Sequence, residues 1–374
     1  MKKVLFTATV DSHILQFHLP FLKLFKENKY EVHVATNGTE EIPYCDVKHV
    51  VSFERSPFKI NNLKAIKQLR NIIEKEKFDI IHTHTPMGSV VTRIAGKNAR
   101  KKFHTRVIYT AHGFHFFKGA PLINWCLFYP VEKYLAKYTD TLILINQEDF
   151  DRAKRKFSKR CHDIEYVPGV GIDESKFDFE MTEKEKEELR KSIGLKKDDF
   201  VLTCIARLDS NKNQVFLINV MKKLIDKYPN IHLLLVGPDE INGLYYELAR
   251  DITSNVHFLG YRKDIPKLLK ITDVSVSSSY REGLPVNILE AMASGVPIIA
   301  TDARGVRDLV RKGINGFLVD KDNILEFENS IIKLYTSGTL RVKISSKNLS
   351  EIKKYFLKNI LQIMDKVYKN KRDL

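Results

Sequence analysis

Short apolar runs recur along the chain and alternate with stretches whose apolar residues have helical spacing. The runs carry Val, Ile and Leu almost continuously, as strands do when helices cover both faces of a parallel sheet. This alternation is typical of βαβ units with right-handed crossovers. The predicted strands of the first half are Val4–Val10, Glu31–Thr36, Lys48–Phe53, Asp79–His82, Val107–Ala111 and Thr141–Asn146. Those of the second half are Phe200–Ala206, Ile231–Gly237, Val256–Gly260, Val274–Ser278 and Ile298–Thr301.

The two series of strands predict two doubly wound, Rossmann-like α/β domains in this chain of 374 residues. We place the boundary in the segment Tyr166–Gly171, where proline and glycine interrupt the pattern, so that the domains span residues 1–168 and 169–374. The predicted helices include Leu63–Glu76, Thr182–Arg190, Gln214–Tyr228, Ile288–Ser294 and a single amphipathic helix Leu349–Tyr368 before the charged end Lys369–Asp373.

The residues that follow each strand are the candidates for function. Open α/β sheets bind ligands beyond the carboxyl ends of their strands, next to helix N-termini. Two sheets that face each other would share one cleft between the domains. Whether the C-terminal helix packs back on the first domain is left open at this point.

The strongest chemical signal is the segment Ser279–Pro297, which follows a predicted strand. Gly283 permits a tight loop, and Pro285 suits the first turn of a helix. The backbone N–H groups of Leu284, Val286 and Asn287 would then open this helix, whose positive end binds phosphate. Glu282 and Glu290 lie about two helical turns apart, so that they would hold opposite ends of one extended ligand.

A second signal follows the strand Phe200–Ala206. Asn211 and Gln214 have the spacing of a capping box, which predicts that a helix begins there. Arg207 at the strand end and Lys212 in the first helical turn would point into the same cleft. A guanidinium and an ammonium together suit a diphosphate, especially one that becomes a leaving group.

Histidines form the third signal, at three strand ends of the first domain. Zinc is a rival use of the pair His82 and His84. Because no carboxylate or cysteine accompanies this pair, we expect no metal site. We favour His112 as the functional residue, since Gly113 lets the backbone come close to a ligand. The histidines at these ends are His13, His82, His84, His112 and His115.

In these motifs the chain resembles the family-4 retaining glycosyltransferases of GT-B fold, over essentially its whole length. The resemblance rests on the Glu282-x7-Glu290 element, Arg207 with Lys212, Thr110-Ala111-His112-Gly113, and Val167–Asp173. A narrower likeness is to EpsD-like enzymes of bacterial exopolysaccharide and capsule clusters. It is carried by Val10–His13, Ile42–Asp46 and Ala111–Pro121.

The resemblance implies roles for the donor-side residues. Arg207 and Lys212 would bind the donor pyrophosphate and stabilise its departure, which makes a divalent metal unnecessary. Glu282 would hold hydroxyls of the transferred sugar beside the backbone of Gly283 and Leu284. The ribose hydroxyls would donate to Glu290.

The resemblance also implies that His112 contacts the transferred sugar near the reacting carbon and that the anomeric configuration is retained. One departure concerns the loop after the first strand, where many members carry a glycine pair and this chain has Asp11-Ser12-His13. Either Ser12 and His13 replace part of the lost backbone contact to the donor, or this loop serves the acceptor.

Charge adds an expectation about partners. The net charge is +16, and no acidic residue occurs between Asp79 and Glu132. Such a surface favours anionic lipid headgroups, and neighbouring Trp, Phe and Tyr side chains suit the membrane interface. The alternative is that the aromatic residues fill the core of the first domain. The predicted membrane or acceptor surface contains Arg93, Lys97, Arg100, Lys101, Lys102, Lys118 and Trp125.

We therefore expect a cytoplasmic enzyme, peripherally attached to the inner face of the cell membrane. The four scattered cysteines suit a reducing compartment, and no apolar stretch reaches the ~20 residues of a membrane span. The expected partners are a nucleotide sugar, with UDP preferred over GDP by family habit, a lipid-linked glycan acceptor and other enzymes of polysaccharide assembly.

Two other functions remain open from the sequence. A UDP-sugar 2-epimerase has a similar fold but requires carboxylates that act as acid and base on the sugar ring. A nucleic-acid-binding protein would also be basic, but its aromatic residues would be interleaved with cations to stack on bases. Here the aromatics form a run from Phe114 to Tyr129, so we expect no nucleic acid partner.

Overall fold

The computed structural model describes residues 1–369. Residues 370–374, which complete the predicted charged end of the C-terminal domain, lie outside the described residues. The chain forms two contact units. The first contains Met1–Gly171 and the chain from Lys358 onward, and the second contains Ile172–Leu357. The first change of unit therefore comes just after the predicted boundary at residue 168.

Within residues 1–369, the first unit has a seven-stranded parallel sheet in the order β3-β2-β1-β4-β5-β6-β7. Strand β1 lies inside the sheet, with Val4 opposite both Val32 and Ile80. The strand order reverses between β1 and β4, the place where such sheets bind ligands. The strands are β1 (Lys3–Thr7), β2 (Glu31–Thr36), β3 (Val47–Val50), β4 (Ile80–Thr83), β5 (Arg106–Ala111), β6 (Thr141–Leu144) and β7 (Asp163–Tyr166).

Helices connect most of these strands, because parallel pairing needs long crossover connections; the connection between the second and third strands is a loop without a helix. Most have one buried apolar face, for example Ala65, Leu69 and Ile73 in α3. In the first unit they are α1 (Asp11–Phe17), α2 (Leu19–Glu27), α3 (Asn61–Glu76), α4 (Pro86–Ala95), α5 (Ala99–Lys102), α6 (Leu122–Leu135) and α7 (Gln147–Phe157).

The second unit has, among the described residues, a six-stranded parallel sheet in the order β10-β9-β8-β11-β12-β13. The strands are β8 (Phe200–Ile205), β9 (Ile231–Val236), β10 (Val256–Gly260), β11 (Val274–Ser277), β12 (Ile298–Thr301) and β13 (Gly316–Val319). The helices are α8 (Glu183–Ser192), α9 (Gln214–Leu224), α10 (Leu244–Leu248), α11 (Ile265–Lys270), α12 (Val286–Ala293), α13 (Val306–Leu309), α14 (Ile324–Thr336) and α15 (Gly338–Glu351).

The last described helix, α16 (Leu357–Lys369), belongs to the core of the first unit. Ile360 packs in the same cluster as Phe6 of β1. The buried guanidinium of Arg106 donates to the carbonyl oxygens of Val367 (2.6 Å) and Tyr368 (3.2 Å). A cation at the C-terminal end of a helix is favourable for the helix dipole.

The prediction of one helix over Leu349–Tyr368 is wrong. The helix is interrupted at Phe356, whose backbone is extended and forms a parallel bridge with Ile172. The Ile172 N–H donates to Tyr355, and its carbonyl oxygen accepts from the N–H of Leu357. Apolar periodicity continues through this break, so the pattern alone did not reveal it.

Each predicted strand is present, some with the predicted bounds and the others with ends displaced by one to three residues. The sequence analysis missed β7 and β13, both edge strands of their sheets. The β7 sequence, Asp163–Tyr166, alternates polar and apolar residues, and β13 is a short strand that begins with a glycine. No helix within residues 1–369 has the length and apolarity that a membrane span requires.

Candidate functional site

The loop after β8 carries Arg207 and Lys212, but the predicted capping box in this loop is wrong. Helix α9 begins only at Gln214, and Lys212 precedes it. The Gln214 amide donates to the carbonyl oxygen of Arg207 (2.8 Å), and the Asn211 amide donates to that of Arg281 (3.1 Å). Both side chains therefore hold loops in place and do not cap the helix.

Lys212 and Glu282 form an ion pair, with Nζ 2.5 Å from Oε1. Their side chains are mostly buried, at 18% and 11% exposure. The backbone of Lys212 is fixed on both sides, because its N–H donates to Asp209 Oδ1 and its carbonyl oxygen accepts from Ser278 Oγ, each at 2.8 Å. Since β8 and β11 are neighbours in the sheet, their loops bring these two predicted residues together.

Arg207 lies at the surface, with 55% of its side chain exposed. Its guanidinium binds both carboxylate oxygens of Glu240 at 2.9 Å and lies 3.5 Å from Asp209. Exposed ion pairs contribute only about 0–1 kcal/mol. The guanidinium is therefore held only weakly in this position.

The loop between β11 and α12 is tightly braced. A Cβ atom at Gly305, where φ is +77°, would lie 2.0 Å from the carbonyl oxygen of Gly283. The Arg304 Nε donates to the carbonyl oxygen of Glu282 at 3.1 Å. Leu284 is buried, which fixes the other end of the predicted sugar-binding loop. The backbone of this loop is thus held by the loop after β12.

Helix α12 begins at Val286, after Pro285 in an extended conformation. The Asn287 amide donates to the carbonyl oxygen of Ile205 at 2.9 Å, so this side chain anchors the helix to the end of β8. The backbone N–H groups of Val286 and Asn287 belong to the first turn, where a helix leaves donors without intrahelical partners. Such a helix terminus is able to bind an anion, and it lies next to the Glu282 loop.

Glu290 lies in the same helix and is largely buried. Burial raises the pKa of its carboxyl to about 7, while the nearby Lys176 cation acts in the opposite direction. This carboxyl group therefore exchanges its proton near neutral pH, and it accepts hydrogen bonds best above that pH.

Four imidazoles gather in the first unit. One ring nitrogen from each lies within 4.8 Å of those of the other three. The sequence analysis missed His18, which lies between α1 and α2. It included His115, which instead stacks on Phe128 with ring centroids 4.7 Å apart. The four residues of this histidine cluster are His13, His18, His84 and His112.

Burial keeps the histidine cluster neutral. It lowers the pKa of His13 to about 2, with the positive charges of His112 and Arg55 adding to the effect. It lowers the pKa of His112 to about 4. His18 and His84 shift in the same direction, first because of burial and then because of their neighbours. At neutral pH each ring retains a lone pair.

His82 adjoins the cluster but has other partners. Its Nδ1 lies 2.9 Å from the Tyr368 hydroxyl and its Nε2 lies 2.8 Å from Thr110 Oγ1. It therefore links β4 to α16 and β5. The rival pairing of His82 with His84 as metal ligands is not supported by this arrangement.

The Asp11 side chain fixes the loop after β1, at the position where many family members have a glycine pair. Its buried carboxylate accepts from Thr36 Oγ1, Lys48 Nζ and the N–H of Glu40. Burial acts to raise the pKa of Asp11, but these hydrogen bonds together lower it below its usual value. Ser12 is exposed and His13 is half-buried, so both remain accessible to a ligand.

Two residues of the predicted membrane surface are internal, and their assignment is corrected. Arg93 is 1% exposed, forms an ion pair with Glu132 at 2.9 Å and lies over the Tyr109 ring. Arg100 binds the carboxylate of Asp140 through two nitrogens, Nε and Nη2. In both cases acidic partners from outside the acid-free stretch draw the guanidinium inward.

Trp125 also belongs partly to the interior, where it packs against Phe116 and the guanidinium of Arg152. Phe116 is fully buried, so the aromatic run contributes to the core of the first unit. The remaining predicted cations are exposed: Lys97, Lys101, Lys102 and Lys118.

Helix α6 exposes an apolar face that the sequence analysis did not identify. The helix is apolar almost throughout, so its sequence has no polar stripe that would mark a solvent side. The exposed large apolar residues are Leu122 (83%), Ile123 (59%), Leu127 (45%), Val131 (42%) and Tyr134 (53%).

Comparisons with known proteins show the family to which the chain belongs. Residues 185–350 match the family described as Glycosyl transferases group 1, and residues 3–146 match Glycosyl transferase 4-like. A putative glycosyltransferase, EpsD of Bacillus subtilis (strain 168), is 41% identical over 100% of this chain and 98% of its own length. The Escherichia coli UDP-Gal:alpha-D-GlcNAc-diphosphoundecaprenol alpha-1,3-galactosyltransferase is 32% identical over 82% of this chain and 79% of its own.

Among solved structures, Anabaena HepE in complex with UDP and glucose superimposes with a TM-score of 0.79. The alignment covers 99% of this chain and 100% of HepE, at 22% identity. Two parallel Rossmann-like sheets of this kind form the GT-B fold, which confirms the predicted fold class.

Proposed function

The chain belongs to the glycosyltransferase family, and from that premise we propose that it transfers a sugar from a UDP-sugar to a lipid-linked glycan. The proposed process is exopolysaccharide or capsule synthesis, with retention of the anomeric configuration. The name of the Escherichia coli relative supports this donor and acceptor class, and HepE binds UDP and glucose. Within the chain, the Lys212–Glu282 ion pair before the α12 terminus carries the proposal.

The donor diphosphate binds where Lys212 now meets Glu282. A phosphate competes with the carboxylate for the ammonium, and Arg207 contributes a second cation from its exposed position. The N–H groups at the start of α12 add donors without adding mobile side chains. Together these groups neutralise the charge that develops on the leaving diphosphate.

Displacement by phosphate releases Glu282, whose carboxylate then accepts from hydroxyls of the transferred sugar. The Gly283 and Leu284 backbone lies beside it, in a loop fixed by Arg304 and Gly305. Glu290, farther along α12, accepts from the ribose hydroxyls. One side chain thus serves as a counter-ion before donor binding and as a sugar ligand afterwards.

In the transfer step, the bond between the anomeric carbon and the phosphate oxygen breaks. The acceptor hydroxyl oxygen bonds to the same carbon, from the face on which the diphosphate departs. The hydroxyl proton passes to the departing phosphate oxygen, so that UDP leaves and no separate base is consumed. His112 is neutral at pH 7 and contacts the sugar near this carbon. We propose that this step requires no divalent metal, since cations of the chain neutralise the leaving group.

A thermal-shift screen against UDP-sugars, GDP-sugars and free UDP tests the donor assignment. Ligand at a hundred times its dissociation constant stabilises the folded protein by ~2.7 kcal/mol. We expect this gain with UDP and at least one UDP-sugar, and a reduced gain in Glu290→Gln. A gain only with GDP-sugars would contradict the UDP assignment, and the absence of any gain would contradict nucleotide-sugar binding.

We further propose peripheral attachment to the anionic inner face of the cell membrane through α6. Tyr134 is one of the exposed residues on the apolar face of this helix, and the Nζ atom of Lys137 lies 3.8 Å from the centroid of its ring. Hydrogen bonds to Tyr138 and Lys137, and the nearby charges of Lys137 and Lys97, lower the pKa of Tyr134. Cations beside exposed apolar side chains suit headgroups above a hydrocarbon boundary.

The proposed attachment is weak enough to be reversible. Each cation near an anionic surface contributes ~1 kcal/mol, so the four exposed lysines of the predicted surface contribute at most ~4 kcal/mol. This suits an enzyme that visits a lipid-linked acceptor. A cytoplasmic location agrees with four free cysteines, and other enzymes of polysaccharide assembly are the proposed protein partners.

Sedimentation with vesicles of phosphatidylglycerol and phosphatidylcholine tests this attachment. We expect binding that weakens as salt rises and that falls in Lys101→Glu/Lys102→Glu and in Ile123→Asp. The matched control, Lys222→Glu/Lys223→Glu on α9 of the second unit, should bind as the wild type does. If the wild-type protein ignores anionic vesicles at low salt, the attachment proposal is wrong.

A further inference from the structure

We propose that His13, His18 and His112 form a binding site for one divalent transition-metal ion of the Zn²⁺ class. All three residues belong to the first unit, whereas Lys212 and Glu282 belong to the second. The effect of this ion on transfer rests on the proposed function: if His112 contacts the transferred sugar, a bound ion withdraws this residue and inhibits transfer.

The spacing of the three rings matches one shared ion. Their centroids are 4.8 Å apart for His13 and His112, 5.0 Å for His13 and His18, and 5.6 Å for His18 and His112. Three imidazoles that bind a tetrahedral Zn²⁺ with N–Zn distances of 2.0–2.1 Å have centroids about 5 Å apart. The rings are inclined to one another by 50° to 87°, so they are not stacked face to face.

Each of the three rings also has a buried nitrogen without a protein partner among residues 1–369. These atoms are Nε2 of His13, Nε2 of His112 and both nitrogens of His18. Buried polar atoms are normally hydrogen-bonded, and several unbonded imidazole nitrogens from residues whose ligand atoms lie within 4.8 Å of one another indicate a shared polar ligand. A neutral imidazole nitrogen is a good ligand for Zn²⁺ and its neighbours in the transition series.

His84 stands behind this site. Its ring stacks on that of His18, with centroids 3.7 Å apart and planes inclined by 28°. Two rings stacked so closely cannot direct their lone pairs at one ion, because a metal lies in the plane of each ligand ring. In this arrangement His84 packs against a ligand, and a three-histidine site keeps its fourth position for water or another small ligand.

In the described chain, the other group of side chains with metal-ligating atoms is already paired with a lysine ammonium. It consists of Glu31, His33 and Glu76. The Lys3 ammonium lies 2.7 Å from Glu76 and 3.5 Å from Glu31. Within the described residues, we therefore assign metal binding only to His13, His18 and His112.

Metal binding is measured on the full chain with Zn²⁺ alone and with Co²⁺ as a spectroscopic probe. After dialysis against Zn²⁺ and passage over a desalting column, we expect one tightly held ion per chain. Co²⁺ should give the intense visible absorption of four-coordinate cobalt. Both signals should be lost in His13→Gln and His18→Gln, and should remain in His115→Gln, which alters a neighbouring histidine outside the cluster.

Because His18 is fully buried, circular dichroism must show that His18→Gln is folded. The half-buried His13→Gln keeps the proposal testable if it is not. Failure of the wild type to retain metal, or equal retention in a folded His13→Gln variant, would overturn the proposal. Binding is measured without nucleotide or acceptor, so an inactive protein that binds Zn²⁺ contradicts only the proposed function. An active protein that does not bind Zn²⁺ contradicts only the metal site.

Discussion

Replacement of Lys212 by methionine should separate its effect on catalysis from its effect on stability. Methionine keeps the length of the side chain but removes the ammonium that Glu282 contacts at 2.5 Å. If Lys212 stabilises the leaving diphosphate, turnover at saturating donor should fall by ~10²–10³, which corresponds to about 3–4 kcal/mol of transition-state stabilisation.

The same substitution should lower the free energy of unfolding. It leaves the Glu282 carboxylate, whose side chain is only 11% exposed, without its partner. Exposed pairs contribute about 0–1 kcal/mol, and loss of one partner of a fully buried pair costs about 3–5 kcal/mol. This mostly buried pair should lie between them, so we expect a loss of about 1–3 kcal/mol.

Two further variants distinguish the effects. Lys212→Met/Glu282→Gln should recover much of the stability but none of the turnover. Lys222→Met on α9 removes a surface pair with Asp251 and should change neither quantity by more than about 0.5 kcal/mol. The assays are denaturant unfolding and initial rates of sugar transfer. Near-normal turnover in a folded Lys212→Met protein would refute the leaving-group assignment.

Three further predictions concern the donor site. Arg207→Ala should lower turnover by ~10²–10³. It should cost little stability, because the ion pairs of Arg207 are exposed. Unchanged initial rates would show that Arg207 does not belong to the donor site. Glu290→Gln should weaken nucleotide affinity more than it lowers turnover, whereas Glu282→Gln should lower turnover more than it weakens nucleotide affinity. If both variants change only the Michaelis constant, Glu282 is misassigned.

Wild-type nucleotide affinity should rise with pH through about 7, as Glu290 loses its proton, and Glu290→Gln should flatten this profile. Because the pKa of Glu290 is raised in the folded protein, the native state binds this proton more tightly than the unfolded state does. The free energy of unfolding should therefore fall as pH rises from 4.5 to 7, by at most about 3 kcal/mol. Transfer should survive EDTA in metal-free buffer; abolition by EDTA with rescue by one divalent ion would show a catalytic metal.

The fold was largely predictable because parallel sheets have a strong signal. Ile298–Thr301 is an almost continuous apolar run, and Glu31–Thr36 carries the buried residues Val32, Val34 and Ala35; the bounds of both strands agree with the prediction. Edge strands such as Asp163–Tyr166 face fewer neighbours and need less apolar surface. The break at Phe356 depends on a backbone pairing with Ile172, a long-range contact that no local pattern encodes.

The site was predictable where function depends on residues just after strands. Lys212 and Glu282 follow neighbouring strands, so topology alone brought them together. The role of Asn211 was mistaken because its amide binds the loop of Arg281 rather than the helix behind it. Arg93 was placed on the surface because its partner, Glu132, lies on another helix.

His18 was missed because it does not follow a strand. It lies five residues after His13, between two short helices, and only the packing of α1 against the sheet brings it to His84 and His112. A search for histidines one to two helical turns beyond a strand-end histidine would have included it.

The central claim is that the chain transfers a sugar from a UDP-sugar to a lipid-linked glycan with retention. Its most direct test is incubation of purified protein with radiolabelled UDP-sugars and undecaprenyl-diphosphate-linked acceptors, followed by chromatography and NMR of the product. We predict a labelled, extended lipid-linked glycan, one UDP released per sugar transferred, and the same anomeric configuration as in the donor. A label that stays on the nucleotide as a C2 epimer, or a product of inverted configuration, would contradict the account.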